Sequence, residues 1–247
     1  MPAARPDAAL VVPHNAPPED LMPPNPPNEP TLRALLVQQA QRLLSLGLAT
    51  GTSGNLSVRF TAADGRTGML ITPSGIDYES LQPEDMVFVA ADGTWQHALD
   101  PSSEWRMHLA VYQARPEAQA VVHGHPTYAT VVAIRGMDIP PLHYMIAAAG
   151  GPSIRCAPYF TYGSAELSQA AVDALFERKA CLLANHGLLA FERDLPRAMG
   201  LAREVETLAQ QYVMSLQLGG PTLLSDDEIA RVVVKFAGYG LKTRAKP

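Results

Sequence analysis

A His-x-His pair, His123 and His125, closes the β-branched run Ala120-Val-Val-His-Gly-His125. Strand side chains alternate faces with a period of two, so this spacing puts both imidazoles on one side of a rigid element, as two metal ligands would stand. A third imidazole, His186, ends the short apolar run Cys181-Leu-Leu-Ala-Asn-His186 and is followed by Gly187. Glu104 adds a carboxylate at the start of a helical pattern. Three imidazoles and one carboxylate form the nitrogen-and-oxygen donor set that suits zinc, with room for water or substrate. Taken singly, each feature has a plainer reading. A histidine in an apolar run can be a hydrogen-bonded core residue, and an acid in a first helical turn meets the helix dipole favourably. Three such sites among seven histidines favour the metal. His14, His97 and His108 lack that company and read as solvent or helix-face residues.

Three turns carry small hydroxyl or amide side chains next to glycine or serine: Gly54-Asn55, Ser74-Gly75 and Ser102-Ser103. Backbone N–H groups and hydroxyls in such turns can cradle a phosphate without any lysine, although each turn alone is equally well just a turn. Other chemistries fail on spacing. The chain holds no G-x-x-x-x-G-K-[ST], G-x-G-x-x-G, G-x-S-x-G or H-E-x-x-H, which removes the standard nucleotide, hydrolase-elbow and zincin readings.

The elements that must position these residues follow from periodicity. Leu32, Leu35, Leu36, Ala40, Leu43 and Leu44 recur at three and four, which predicts an amphipathic helix from Thr31 to near Gly47. Residues 56–60 alternate as a strand, Asp64-Gly65 turns the chain into a second strand over 69–72, and 86–90 reads as a third. A helix over 103–114, a strand over 120–123 and a helix over 126–134 with a first-turn proline come next. The apolar stretch 143–151 shows no clear period. Strands at 154–157, 181–184 and 188–191 bracket a helix over 166–178, and a long helix follows, striped by Leu195, Met199, Ala202, Val205, Ala209, Tyr212, Val213 and Leu216. Ser225-Asp-Asp-Glu228 reads as a capping box before a last helix. Hairpins in the first half with interspersed helices imply an α/β fold: a single domain with a mixed, largely antiparallel sheet covered by helices.

At 247 residues with 47% hydrophobic and 17% charged side chains, the chain can bury one sizeable core. Its net charge of −5 gives no basic field for nucleic acid or an anionic membrane. Neither a secretory leader nor a membrane-spanning run is recognisable. The two cysteines, Cys156 and Cys181, lie in apolar runs and read as buried thiols of a reducing, cytoplasmic protein. Ten of the 22 prolines fall in the first thirty residues, so residues 1–30 are expected to form a disordered or draped tail, with the folded domain occupying 31–247.

The runs Thr52-Ser-Gly-Asn55, Leu70-Ile-Thr-Pro-Ser-Gly75, Pro101-Ser-Ser-Glu-Trp-Arg106, Ala120-Val-Val-His-Gly-His125, His143-Tyr-Met-Ile-Ala-Ala-Ala-Gly-Gly151, Asn185-His-Gly187 and Lys235-Phe-Ala-Gly-Tyr-Gly240 occur in that order. Over about residues 31–240 the chain thereby closely resembles the class II aldolase/adducin family. The resemblance implies zinc-dependent cleavage of a ketose 1-phosphate, L-fuculose 1-phosphate or a related deoxyketose phosphate, into dihydroxyacetone phosphate and an aldehyde. It further implies a homotetramer with active sites between subunits. His123, His125 and His186 then correspond to the zinc ligands, with Glu104 reaching the metal in the absence of substrate and moving a proton in its presence. The turns at Gly54-Asn55, Ser74-Gly75 and Ser102-Ser103 correspond to the phosphate pocket, and Tyr144 and Tyr239 to residues reaching a neighbouring subunit's site. Departures lie at the aldehyde end: Tyr162 stands where relatives carry Phe, Pro152 where they carry Asn, and Gly124 between the histidines also differs. Rival activities at such a site are an L-ribulose-5-phosphate 4-epimerase, whose relatives carry Asp in place of Glu104, and a decarboxylase of phosphorylated keto acids. A non-catalytic adducin-like scaffold would be expected to have lost metal ligands that this chain keeps.

Overall fold

The computed structural model describes residues 28–237; the proline-rich segment 1–27 and Tyr239 lie outside them. The first helix, α1 (Glu29–Ser45), begins two residues earlier than periodicity suggested. Asn28 caps it by accepting the Thr31 N–H at 3.0 Å, and Pro30 falls in the first turn, where a missing N–H costs nothing. Strands β1 (Asn55–Thr61) and β2 (Thr67–Ile71) form the expected hairpin, and β3 (Val87–Ala90) pairs with β2. Helix α2 (Trp105–Ala114) leads into β4 (Ala120–Gly124) and α3 (Thr127–Ile134). The unpatterned stretch is a 3₁₀ helix over Tyr144–Ala149, stopped by Gly150 in the left-handed region at φ +91°. Such a helix eclipses side chains every third residue, which leaves no α-period to read. Then come β5 (Arg155–Ala157), α4 (Ala165–Ala174), β6 (Ala180–Leu183), β7 (Gly187–Glu192), α5 (Leu195–Gln217) and α6 (Asp226–Ala237). Helix α4 ends four residues short of its expected end because the chain turns back at Glu177, φ +55°. Ser225 accepts the Glu228 N–H at 3.2 Å, half of the expected capping box. Among the described residues no helix is long and apolar enough to cross a membrane.

The strands make one seven-stranded sheet in the order β3-β2-β1-β4-β7-β6-β5, antiparallel throughout except for the parallel β5–β6 pair. Alternation along the strands divides the interior in two. Leu70, Val122, Leu182 and Leu188 pack with α1, α3 and α5, while Ile71, Val121, Leu183 and Leu189 pack with α2 and α4. Burying each of these aliphatic side chains contributes about 1.5–3 kcal/mol. The result is an α/β/α layering with helices on both faces.

This architecture decides where the polar residues go. The β1–β4 register sets Asn55 opposite His123 and Ser57 opposite Val121, so these two polar side chains face α2. Across the other edge of β4, His123 pairs with Leu189. The His125 N–H donates to Leu48 O at 2.9 Å. The following helix is tied down by Glu206 of α5, whose carboxylate accepts the Tyr128 and Ala129 N–H groups at 2.9 and 2.7 Å. An anion at that N-terminus also meets the helix dipole favourably.

Candidate metal centre and substrate cavity

Three segments converge at the end of β4. His123 is the penultimate residue of the strand and fully buried, and His125 lies one residue beyond it. His186 sits in the tight β6–β7 turn, where Asn185 takes φ +55° and the His186 N–H donates to Leu183 O at 3.0 Å. Gly187 is required there on space alone, since a Cβ would stand 2.3 Å from the Gly124 carbonyl oxygen. Glu104 immediately precedes α2 and is buried. The four donor atoms all lie within 4.8 Å of one another. His123 Nε2 is 2.8 Å from His125 Nε2 and 3.1 Å from Glu104 Oε2, and His186 Nε2 is 3.3 Å from Glu104 Oε1.

The His123 Nδ1–H donates to Leu188 O at 2.8 Å, which leaves the Nε2 lone pair aimed at the cluster. Burial pushes the His125 ring down to about 3 and the His186 ring to about 4, with the neighbouring imidazoles acting in the same direction. Burial also depresses His123, but Glu104 beside it raises the ring above its ordinary range. For Glu104 itself burial acts upward, and the His123 and His186 rings with the Asn55 amide outweigh it, holding the carboxyl well below the usual carboxylate range. Glu104 Oε1 is nevertheless buried without a hydrogen-bond partner. Convergent imidazole nitrogens around an orphaned carboxylate oxygen fit a divalent cation.

The cluster forms one wall of an open cavity of about 370 Å³. Gly54, Asn55, Ser74, Gly75, Ser102 and Ser103 all line it, together with Glu104, His125 and His186. His123 lies behind them. The turns differ in one respect from the sequence expectation: the N–H groups of Ser74 and Ser102 are taken by Asp100 O and Thr72 O, both at 3.0 Å. Their hydroxyls, not these amides, are what they offer the cavity. Among the described residues no lysine or arginine lines it. Tyr162 does, along with Tyr159 and Phe160, which sequence reasoning missed because an aromatic loop has no periodic signature. Tyr144 is outside this lining, half-exposed on the 3₁₀ helix with its ring 6.4 Å from that of Phe236.

One residue narrows the sequence reading. Of the two expected places for His108, solvent or a helix face, it takes the helix face, and that face is fully buried, with Nε2 2.6 Å from Asn55 Oδ1 and Nδ1 2.7 Å from Ser57 Oγ. Its place four residues after Glu104 on one helix face was the available signal.

The class II aldolase and adducin N-terminal domain pattern matches residues 34–213. The L-fuculose phosphate aldolase of Escherichia coli (strain K12) is 50% identical over 208 residues, covering 84% of this chain and 94% of that protein. A 5-methylthioribulose-1-phosphate/5-deoxyribulose-1-phosphate aldolase of Rhodospirillum rubrum is 49% identical over 209 residues, covering 85% and 92%. Among solved structures, an L-fuculose 1-phosphate aldolase superposes with a TM-score of 0.79 at 40% identity, covering 84% of this chain and 96% of that one. With this match spanning both layers of the fold and the donor cluster, the chain belongs to the class II aldolase and adducin family and is one of its aldolases, a lyase.

Proposed function

We propose that this protein is a zinc-dependent aldolase that reversibly cleaves a ketose 1-phosphate, L-fuculose 1-phosphate or a related 5-deoxyketose phosphate, into dihydroxyacetone phosphate and an aldehyde. The observation that carries the reading is the convergence of Glu104, His123, His125 and His186 at the wall of a cavity lined also by hydroxyl-bearing turns and an aromatic loop. Two relatives of near-equal identity are named for sugar phosphates, one for L-fuculose phosphate and the other for 5-methylthioribulose 1-phosphate and 5-deoxyribulose 1-phosphate. That shared class supports the substrate.

His123, His125 and His186, with Glu104, would hold the ion. Bound there, a divalent cation supplies Lewis-acid stabilisation of the negative charge that develops on the ketose oxygens, worth several kcal/mol. The side chains do the rest. The hydroxyls of Ser74, Ser102 and Ser103 and the turns at Gly54-Asn55 and Gly75 bind the phosphate by neutral donors, which suits a pocket with no lysine or arginine among its described lining residues. Glu104, buried with Oε1 free of hydrogen bonds, moves the proton that the dihydroxyacetone carbon gains in cleavage and loses in condensation. The aldehyde oxygen needs an acid on its far side. Tyr144 would supply it from a neighbouring subunit of a homotetramer, in keeping with the exposure of Tyr144 in the single chain, and Tyr239 is the second tyrosine proposed to serve a neighbouring subunit's site. The unpaired Cys156 and Cys181 suit a cytoplasmic setting.

The test is to offer dihydroxyacetone phosphate with a panel of aldehydes, L-lactaldehyde, methylthioacetaldehyde and acetaldehyde among them, and follow ketose formation. Condensation with one or more confirms the class. Interconversion of ribulose 5-phosphate and xylulose 5-phosphate without aldehyde release would instead make the protein an epimerase, and carbon dioxide release a decarboxylase. Zinc-loaded protein without any of these activities would leave a scaffold.

A further inference from the structure

Behind Glu104 runs a line of buried polar groups that reaches the cavity and the ion site only through Asn55. His108 follows Glu104 by one turn of α2 and Tyr112 follows His108 by another, so the two helical side chains face the sheet on the side where Asn55 and Ser57 project from β1. Tyr112 Oη is 2.8 Å from Ser57 Oγ, Ser57 Oγ is 2.7 Å from His108 Nδ1, His108 Nε2 is 2.6 Å from Asn55 Oδ1, and the Asn55 Nδ2–H donates to Glu104 Oε2 at 3.0 Å. All five residues are buried.

The chemistry of each group fixes the sense of the next. An ionised carboxylate only accepts, so Asn55 must turn its NH₂ towards Glu104 and its carbonyl oxygen towards His108. A carbonyl oxygen also only accepts, so His108 Nε2 must carry the proton. Burial, reinforced by His123, pushes the His108 ring down to about 3, which leaves it neutral with a single N–H. Its Nδ1 lone pair therefore accepts the Ser57 hydroxyl proton, and Ser57 Oγ accepts that of Tyr112. Every donor points the same way, and the line ends on the carboxylate.

We propose that His108 is a positioning residue for the aldolase reaction: by donating from Nε2 to Asn55 Oδ1 it locks the Asn55 amide with its NH₂ facing Glu104, which anchors Oε2 and leaves Oε1 directed at the ion and substrate. Without that bond Oδ1 is left without a donor, so the amide is free to swing away from the carboxylate and Oε2 loses its anchor. The inference rests on the reading of Glu104 given above. It adds a residue outside the donor set and outside the cavity lining.

The test is a double-mutant cycle read in two ways, as zinc affinity of the metal-stripped protein by chelator competition and as kcat and KM for cleavage. His108→Phe should lower zinc affinity and kcat by roughly 10–100-fold, the usual cost of removing a partner behind a metal ligand, with KM little changed. His108→Gln, whose amide can donate to Asn55 and accept from Ser57, should recover most of the loss. In an Asn55→Ala background, His108→Phe should cost nothing further in either readout, because the amide it acts through is gone. A purely structural histidine behaves otherwise: its loss lowers Tm and adds to Asn55→Ala. Unchanged zinc affinity and kcat in His108→Phe, or an undiminished loss in the Asn55→Ala background, overturns the proposal. Native behaviour of Asn55→Ala alone overturns it together with the reading of Glu104. If His108→Phe does not fold, Ser57→Ala takes its place in the cycle, with a smaller loss that must likewise vanish in the Asn55→Ala background.

Discussion

Gly187 allows the metal centre to be disturbed without touching a ligand. A Cβ added there would stand 2.3 Å from the Gly124 carbonyl oxygen and 2.7 Å from His125 Cδ2, across the β4–β7 pair. Ordinary contact begins at 3.4 Å, so Gly187→Ala must push the His125 ring away by about 0.7 Å and the two backbones apart by about 1.1 Å. Neither move is absorbed easily: β4 and β7 are central strands packed on both faces, and interiors transmit strain rather than dissipate it. Metal sites tolerate shifts of about 0.2 Å in ligand distance. A displacement approaching 1 Å near the chemistry can cost about 100-fold, and that is the expected loss in zinc affinity and in kcat/KM. Overpacking should separately cost about 1–3 kcal/mol of stability, a fall in Tm of roughly 2–12 °C for a chain of this size. Chelator competition on the metal-stripped variant, run beside thermal unfolding, separates the two effects. Native zinc affinity with a lowered Tm would show that the strain is relieved away from His125 and would refute the coupling.

Three further outcomes are expected. Glu104→Gln should keep KM nearly unchanged while kcat falls by about 10²–10⁴, measured in steady-state cleavage of a ketose 1-phosphate; an unchanged kcat removes Glu104 from proton transfer. His125→Ala should abolish bound zinc and activity together, by elemental analysis and assay on the same preparation, and an active, metal-free variant refutes the ligand assignment. Burial, helped by Asp138, pushes the Cys156 thiol up to about 11, and burial raises Cys181 further still. Below that range the protonated, unreactive thiol dominates, so alkylation of the native protein should be slow at neutral pH and quicken as the pH rises; labelling at the rate of an exposed cysteine at pH 7 refutes it.

What could be read from the sequence was whatever a local period encodes. The stripe of Leu36, Ala40 and Leu43 became the buried face of α1, and Asp64-Gly65 became the β1–β2 hairpin because the turn chemistry and both flanking strands agree. Strand order was beyond such reasoning. Nothing within ten residues of His123 says that β4 lies between β1 and β7, since those pairings join segments some 65 residues apart and rest on long-range packing. The parallel β5–β6 pair was hidden for the same reason.

The site divides along the same line. Two imidazoles on one strand share a face by geometry that needs no tertiary knowledge, and His123 and His125 have their Nε2 atoms 2.8 Å apart. The burial of His108 was not read, although its spacing from Glu104 and Tyr112 placed all three on one helical stripe. A polar stripe on a helix is ordinarily the solvated face, and only the partner strand reverses that inference by presenting Asn55 and Ser57 at hydrogen-bonding distance. Polar residues at helical spacing become legible as buried only when a second element supplies matching polar residues at strand spacing. Here that pattern exists: Asn55 and Ser57 stand two apart on β1, while Glu104, at the N-cap of α2, and His108 and Tyr112 within it stand four apart. The two polar rows answer each other bond for bond and end on Glu104, where the Asn55 amide adds to the His123 and His186 rings that hold the buried carboxyl well below its usual range.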